Sequence, residues 1–313
     1  MVIEEFDIKT MLDNLETEPR TEQKRVLDGK SIGFIIVLVH HAEFQGESPS
    51  YLASILGKPS LSYVKKACEF CPKTIEMEED GDLVKTIKPV LGDKEWTVVL
   101  FSDTPLITSS TITESFLYAS ERELNVLKLE RGYIFKTDYI KRVDRIFDVE
   151  AVKKETDDFF VVKSQKDLAK AAAIMKDRVL TNLLNNGVQI IDPTSTYIES
   201  EVRVDKGAII YPNAALMGDS HIGSKTIVGF GSIIKNSAIG KRCNIQNSYI
   251  TNSAVLDSTL IESSRVEINS LIEKNCVIKH YSIISSSKIG ANSKVSWSKI
   301  KGIKIDENSK IEN

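Results

Sequence analysis

Apolar residues in the last third of the chain recur on a beat that neither a helix nor an ordinary strand can hold. Ile198, Val204, Ile210, Leu216, Ile222, Val228 and Ile234 stand six residues apart. The beat continues in five- and six-residue steps through Ile239, Ile245, Ile250, Val255, Leu260, Val266, Ile272, Ile278, Ile284, Ile289, Val295, Ile300, Ile305 and Ile311. A helix stripe repeats at three and four residues, whereas an amphipathic strand alternates every two. A six-residue rung suits a solenoid coil of three short strands, each sending one aliphatic side chain to the axis. Gly, Asn, Asp, Ser and Lys fill the intervals, and these residues tolerate tight corners and solvent. Repetition outranks local propensity, and the pattern predicts a parallel β-helix of about six or seven coils.

The preceding residues alternate strand-like and helix-like segments, which predicts an α/β sheet over 31–180. Ile32–Val39 and Trp96–Phe101 are β-rich apolar runs and are expected to be buried central strands. Leu52–Glu69 has helical spacing broken at Gly57-Lys58-Pro59, Thr111–Leu127 suggests another helix, and Arg131–Phe135 a short strand. Lys73–Lys94 is acidic and reads as irregular. Gln165–Leu184 carries a clean helical stripe that stops at Asn185-Asn186-Gly187. Residues 1–30 mix acidic and basic groups around Phe6, Ile8, Met11 and Leu15, as an amphipathic helix or a loose arm would. The expected domains are therefore a helical extension at 1–30, an α/β domain at 31–186 and the β-helix at 187–313.

Composition narrows the function classes. Hydrophobic residues at 42% and charged residues at 27% describe a soluble globular chain able to bury a core. The net charge of -3 gives no electrostatic reason to expect nucleic acid or an anionic membrane as partner. No apolar run is long enough to span a bilayer, and the acidic N-terminus is unlike a secretory signal; a cytoplasmic location is expected. Cys68 and Cys71 form a C-x-x-C without a second pair or a neighbouring His, so they read as small apolar residues on a helix face. Cys243 and Cys276 read as rung fillers. His40-His41 are adjacent on an extended chain and point to opposite faces, which favours structural roles.

Ile-Gly-x-x-x-x at Ile222-Gly223, Ile239-Gly240 and Ile289-Gly290 resembles the hexapeptide repeat of left-handed β-helices. Asn186-Gly-Val-Gln-Ile-Ile-Asp-Pro-Thr-Ser-Thr-Tyr-Ile198 resembles the linker that leads into the β-helix of bacterial bifunctional N-acetylglucosamine-1-phosphate uridylyltransferase/glucosamine-1-phosphate acetyltransferases. Leu56-Gly-Lys-Pro-Ser-Leu-Ser-Tyr-Val64 is similar to the segment after that family's phosphate loop, Phe101-Ser-Asp-Thr-Pro-Leu-Ile107 to its metal motif, and Arg131-Gly-Tyr-Ile-Phe135 to a later strand. The resemblance implies a nucleotidyltransferase-like α/β domain (Rossmann-like, GT-A type) followed by a left-handed parallel β-helix. It also implies transfer from UTP to N-acetylglucosamine-1-phosphate with Mg²⁺, and a homo-oligomer, in related β-helices often a trimer.

The resemblance marks Asp103 as the metal position, Gly46 and Lys58 as substrate-binding positions, and Lys163 as the residue standing where the family has its second metal ligand. Asp103 ends a buried strand, where open α/β sheets bind ligands, and its plain alternative is a turn residue before Pro105. A protonated lysine has no lone pair for a metal. Lys163 is therefore expected either to face Asp103 as a tethered cation or to be a solvated surface lysine. The loop His40–Ser50 holds one glycine, Gly46, no Arg or Lys, and two repelling acids, Glu43 and Glu47. Glycines let backbone N–H groups approach phosphate, so this loop is unsuited to a triphosphate. In the β-helix, Ser296 or Trp297 stands where the family's acetyltransferase has its basic His, the coils completing an acetyl-CoA site would lie beyond Asn313, and His221 and His280 read as exterior residues. The sequence thus leaves two readings: a reduced uridylyltransferase, or a non-catalytic scaffold or regulatory subunit of sugar-nucleotide metabolism.

Overall fold

The computed structural model describes residues 33–40, 49–78, 81–146, 150–151 and 156–312. The expected helix at 1–30 and Gly46 lie outside these residues. The described residues fall into two compact units, 33–175 and 176–312.

The first unit is built on a six-stranded mixed sheet. Its strands are β1 (Phe34–His40), β2 (Thr74–Glu78), β3 (Trp96–Phe101), β4 (Val126–Leu129), β5 (Gly132–Lys136) and β6 (Glu150–Ala151), in the order β2-β1-β3-β5-β4-β6. β1 runs parallel to both β2 and β3, while β5 runs antiparallel to β3 and β4. β1 and β3 are buried at every position, as continuous apolar runs covered on two faces should be. On one face Phe34, Ile36 and Leu38 pack with Val64, Ala67 and Cys68 of helix α1 (Ser60–Cys68). On the other, Ile35, Val37 and Val39 pack with Val84 and Ile87 of α2 (Leu83–Ile87). The first face also takes Ile112 and Ala119 of α3 (Ser109–Glu121), and the second takes Ile140 of α4 (Thr137–Arg142). The helix expected from Leu52 begins only at Ser60, because Leu56 and Gly57 adopt positive φ of 41° and 83° in a tight turn. The segment expected to be irregular contains β2 and α2; α2 is capped by the Asp82 carboxylate, which accepts from Val84 and Lys85 N–H.

The long helix α5 (Gln165–Asn185) ends as its sequence predicts. Gly187 turns at φ +83°, and Val188 N–H returns to Leu183 O at 3.1 Å. Leu180 and Leu183 then join the solenoid core.

The second unit is the parallel β-helix, seven to eight short strands deep in each of three sheets. One interior column runs Ile198, Leu216, Ile234, Ile250, Val266, Ile284 and Ile300 in register. All but Ile300, at 4%, are fully buried. One step of the periodic reading slips: Ile261, not Leu260, is the axial residue, paired with Ile245 and Ile278. The slip is physically simple, since both neighbours are aliphatic and only the interior one is at 0% exposure. Cys243 and Cys276 fill interior positions as expected.

Sterics explain the Ile-Gly step. A Cβ on Gly223 would lie 2.6 Å from the Gly240 carbonyl carbon, and one on Gly240 2.7 Å from Asp257 N. Serines serve the coil edges: the N–H groups of Ser237, Ser253, Ser270 and Ser287 each donate to the hydroxyl of the serine one coil earlier, at 3.2–3.3 Å. These donors would otherwise be orphaned at the turns.

Candidate functional site

β1 and β3 end side by side at the carboxyl edge of the sheet, with Val39 beside Phe101 and Ser102 N–H donating to Val39 O at 3.0 Å. The chain then turns sharply through Ser102–Pro105. Thr104 Oγ1 donates back to Phe101 O at 2.8 Å, and Val162 N–H donates to Asp103 O at 2.9 Å. These bonds hold Asp103 in place at 1% exposure.

The cation opposite that carboxylate is Arg131. It sits in the two-residue turn between β4 and β5, and β5 pairs antiparallel with β3, Tyr133 beside Val99. Two residues earlier along that register, Arg131 comes beside Phe101. Its Nε donates to Asp103 Oδ1 at 3.2 Å and its Nη2 to Oδ2 at 2.7 Å. Its guanidinium carbon lies 3.9 Å from the Phe101 ring centroid. The approach requires Gly132: its φ is +135°, and a Cβ there would meet Val99 O at 2.6 Å. Fork-to-fork pairing of this type is the strongest ion-pair geometry proteins use.

Of the two expected outcomes for Lys163, the structure shows the solvated surface lysine and not the ion pair with Asp103. Its side chain is exposed, and its backbone N–H is bound by the Asp167 carboxylate at 3.3 Å. Lys58 lies half-buried in the short strand Lys58–Pro59, where it pairs antiparallel with Ile55. Arg131, expected to open a short strand, lies in the turn just before it, and its pairing with Asp103 has no local signature because the contact spans 28 residues and is created by strand pairing.

A second polar group borders the same edge. His40, 8% exposed, shares Glu76 with Lys65: His40 Nε2 lies 3.1 Å from Oε2 and Lys65 Nζ 2.8 Å from Oε1. The Tyr51 ring tilts against His40 at 5.1 Å. The bond from Lys65 holds the Glu76 carboxyl below its ordinary range, with His40 assisting and partial burial opposing. His41 lies outside the described residues. Among the described residues, the Nδ1 of His40 and the hydroxyl of Ser102 are buried without a hydrogen-bond partner.

These residues do not fit a divalent cation. Mg²⁺ asks for oxygen ligands in near-octahedral order, and both Asp103 oxygens are committed to Arg131. Among the described residues no group of three or more His, Cys, Asp or Glu could hold a metal ion. On the β-helix, His221 is buried on the outer side of its strand with Nε2 3.0 Å from Asp205 Oδ1. His280 is exposed and stacks on Trp297 at 5.3 Å and 11°.

No family model matches the chain. Among curated proteins it is similar to the bifunctional protein GlmU of Clostridioides difficile, 34% identical over 184 residues covering 58% of this chain and 36% of that protein. It is also similar to GlmU of Acetivibrio thermocellus, 28% identical over 283 residues covering 69% of this chain and 61% of that protein. The chain is thus GlmU-like over the matched residues, and it spans little more than a third of the first relative's length. Among solved structures, CMP:2-keto-3-deoxy-manno-octonic acid synthetase complexed with CTP aligns at 12% identity and a TM-score of 0.35, over 46% of this chain and 99% of its own. PerB from Caulobacter crescentus, in complex with CoA and GDP-perosamine, aligns at 13% identity and 0.26, over 88% and 93%. Neither superposes closely on this chain.

Proposed function

We propose that this chain is a nucleotidyltransferase-like protein that has left metal-dependent uridylyl transfer and serves as a non-catalytic oligomeric scaffold or regulatory subunit of sugar-nucleotide metabolism. The observation that carries the reading is the bidentate clasp of Asp103 by Arg131. Transfer to a sugar-1-phosphate oxygen needs the charge on a polyphosphate neutralised by metal, side-chain cations and backbone N–H groups. At the position that resembles the family's metal ligand, the carboxylate is already neutralised. The loop sequence after β1 brings Glu43 and Glu47 and no cation. Loss of a single transition-state contact typically costs about 2.7–4 kcal/mol, and several are missing together.

The solenoid supports an assembling role. Phe230, Tyr281 and Trp297, at 55%, 72% and 55% exposure, stand on its outside with Ile268 and Ile303. Exposed aromatics of this kind are enriched at protein interfaces, and a homotrimer is the proposed assembly. Acetyl transfer is disfavoured because Ser296 or Trp297 stands where the resemblance places the base. No helix among the described residues is long and apolar enough to cross a membrane, and the proposed location is the cytoplasm. The test is pyrophosphate release from UTP and N-acetylglucosamine-1-phosphate with Mg²⁺. No turnover above background is expected; turnover abolished by Asp103→Ala would overturn the proposal in favour of the reduced enzyme.

A further inference from the structure

We propose that the β-helix carries, over its last described coils, a docking face for an anionic lipid surface, formed by Lys299, Lys301 and Lys304 beside exposed Trp297 and Ile303. The inference goes beyond the proposed assembly and does not depend on the Asp103 site.

The exposed apolar side chains of the solenoid are not spread evenly. Ile191, Phe230, Ile268, Tyr281, Trp297 and Ile303 are each 48–72% exposed. All six stand at the two corners that border one sheet, the one whose interior column runs from Ile198 to Ile300. Over its earlier strands the outer face of that sheet is itself apolar, with Ala215, Met217, Ile233 and Tyr249, and together with Phe230 it suits contact between copies. Over its last strands it changes character.

Interior and exterior alternate along each strand. In the strand Lys299–Lys301, Ile300 is buried at the axis and both lysines are exposed. They lie in register with Ile283 and Ser285 of the coil before. Trp297 turns the corner on one side and Ile303 on the other, followed at once by Lys304. The Trp297 ring packs against Tyr281 at 5.9 Å. Nearby ion pairs join Lys288 to Glu273 and Lys310 to Glu312, and Lys299 and Lys301 enter none among the described residues. The acids of this coil stand elsewhere, Asp306 and Glu307 at the corner that does not border this sheet and Glu312 on another sheet.

This mixture selects the occupant. A cyclic assembly about an axis along the solenoid brings residues of one height together, and here that would set lysine against lysine. Lysine is depleted at protein interfaces, where arginine is preferred. At the boundary between membrane and water, by contrast, Trp and Tyr gather beside Lys. Long lysine stems keep their ammonium groups among the headgroups while Trp297 and Ile303 enter the apolar boundary. The whole chain carries a net charge of -3, but screening confines attraction to about 8 Å, so the local cluster decides.

The full chain is sedimented with vesicles of phosphatidylcholine mixed with phosphatidylserine, and with vesicles of phosphatidylcholine alone. Binding to the anionic vesicles that weakens as salt is raised is expected, with none to the neutral ones. The chain has two tryptophans and Trp96 is 4% exposed, so a blue shift of emission on binding reports Trp297 entering the interface. The triple variant Lys299→Gln/Lys301→Gln/Lys304→Gln is expected to bind about fivefold more weakly for each lysine removed. Its circular dichroism and oligomeric state are expected to match the wild type. Trp297→Ala is expected to abolish the blue shift and weaken binding. No binding to anionic vesicles, equal binding to neutral ones, binding without the blue shift, or undiminished binding of the triple variant overturns the inference. A triple variant that changes oligomeric state assigns the face to contact between copies and overturns it as well.

Discussion

Arg131 takes both oxygens of Asp103, at 3.2 and 2.7 Å, from a turn 28 residues further along the chain. The pair ties the β4–β5 hairpin to the end of β3 and sets the electrostatics of the sheet's carboxyl edge. Because Asp103 is 1% exposed, the energetic weight of the pair lies in what happens when one partner is lost.

Arg131→Met is expected to destabilise the first unit by about 3–5 kcal/mol, since it strands a buried carboxylate. The double variant Asp103→Leu/Arg131→Met is expected to recover most of that loss, as apolar replacement of a buried pair often does. Urea unfolding of the two single variants and the double gives the cycle. Additive losses would show that the two residues do not act as a pair.

Gly223→Ala tests the steric basis of the repeat. The new Cβ would meet the carbonyl carbon, carbonyl oxygen and following N of the next coil at 2.6–2.8 Å. Backbone cannot yield as a flexible side chain does, and overpacking costs about 1–3 kcal/mol or more. The loss is expected to exceed that of Ile222→Val next door, about 0.5–1.5 kcal/mol. Thermal melts that rank the two variants in the opposite order would refute the steric account.

Glu273 predicts an acid limit for the solenoid. Its carboxylate accepts from Lys288 Nζ at 2.7 Å and from Ala291 N–H at 3.0 Å. The Lys288 bond, with the Ala291 N–H helping and burial opposing, holds the carboxyl below its ordinary value of 4.5. A depressed folded value means the contribution is fully present above 4.5 and is lost as pH falls through the lowered value. Wild type should therefore exceed Glu273→Gln in stability at pH 7, and the gap should narrow below pH ~4. A gap that widens on acidification would reverse the sign.

Cys68 should be chemically silent. Burial first, then the neighbouring Cys71 and Glu76, push its thiol up to about 12. The thiolate is the reactive form, so iodoacetamide at mildly alkaline pH should spare Cys68 in the folded protein and label it in urea. Rapid labelling of native Cys68 would contradict its burial.

What the sequence discloses depends on how local the cause is. The axial aliphatic beat is legible because each rung repeats the same requirement, and it slips only at Leu260-Ile261, where two aliphatic neighbours compete for one interior place. β1 and β3 are legible as unbroken apolar runs. β2 is not, because a short edge strand alternates Ile75 and Met77 with exposed Thr74, Glu76 and Glu78. Asp103 could be placed at a strand end, but its partner could not. The segment of Lys163 does reach Asp103, through Val162 N–H, while the lysine side chain stays in solvent. Arg131 becomes visible only once β5 is laid antiparallel against β3. The one local signal was the Arg-Gly step at a two-residue turn opposite the motif carrying Asp103.

The central claim is that a guanidinium occupies the place of a divalent cation beside Asp103. Titration of the full chain with Mn²⁺, followed by electron paramagnetic resonance, tests it most directly. The account predicts no binding that Asp103→Asn removes. A stoichiometric Mn²⁺ site in the wild type that disappears in Asp103→Asn would contradict it.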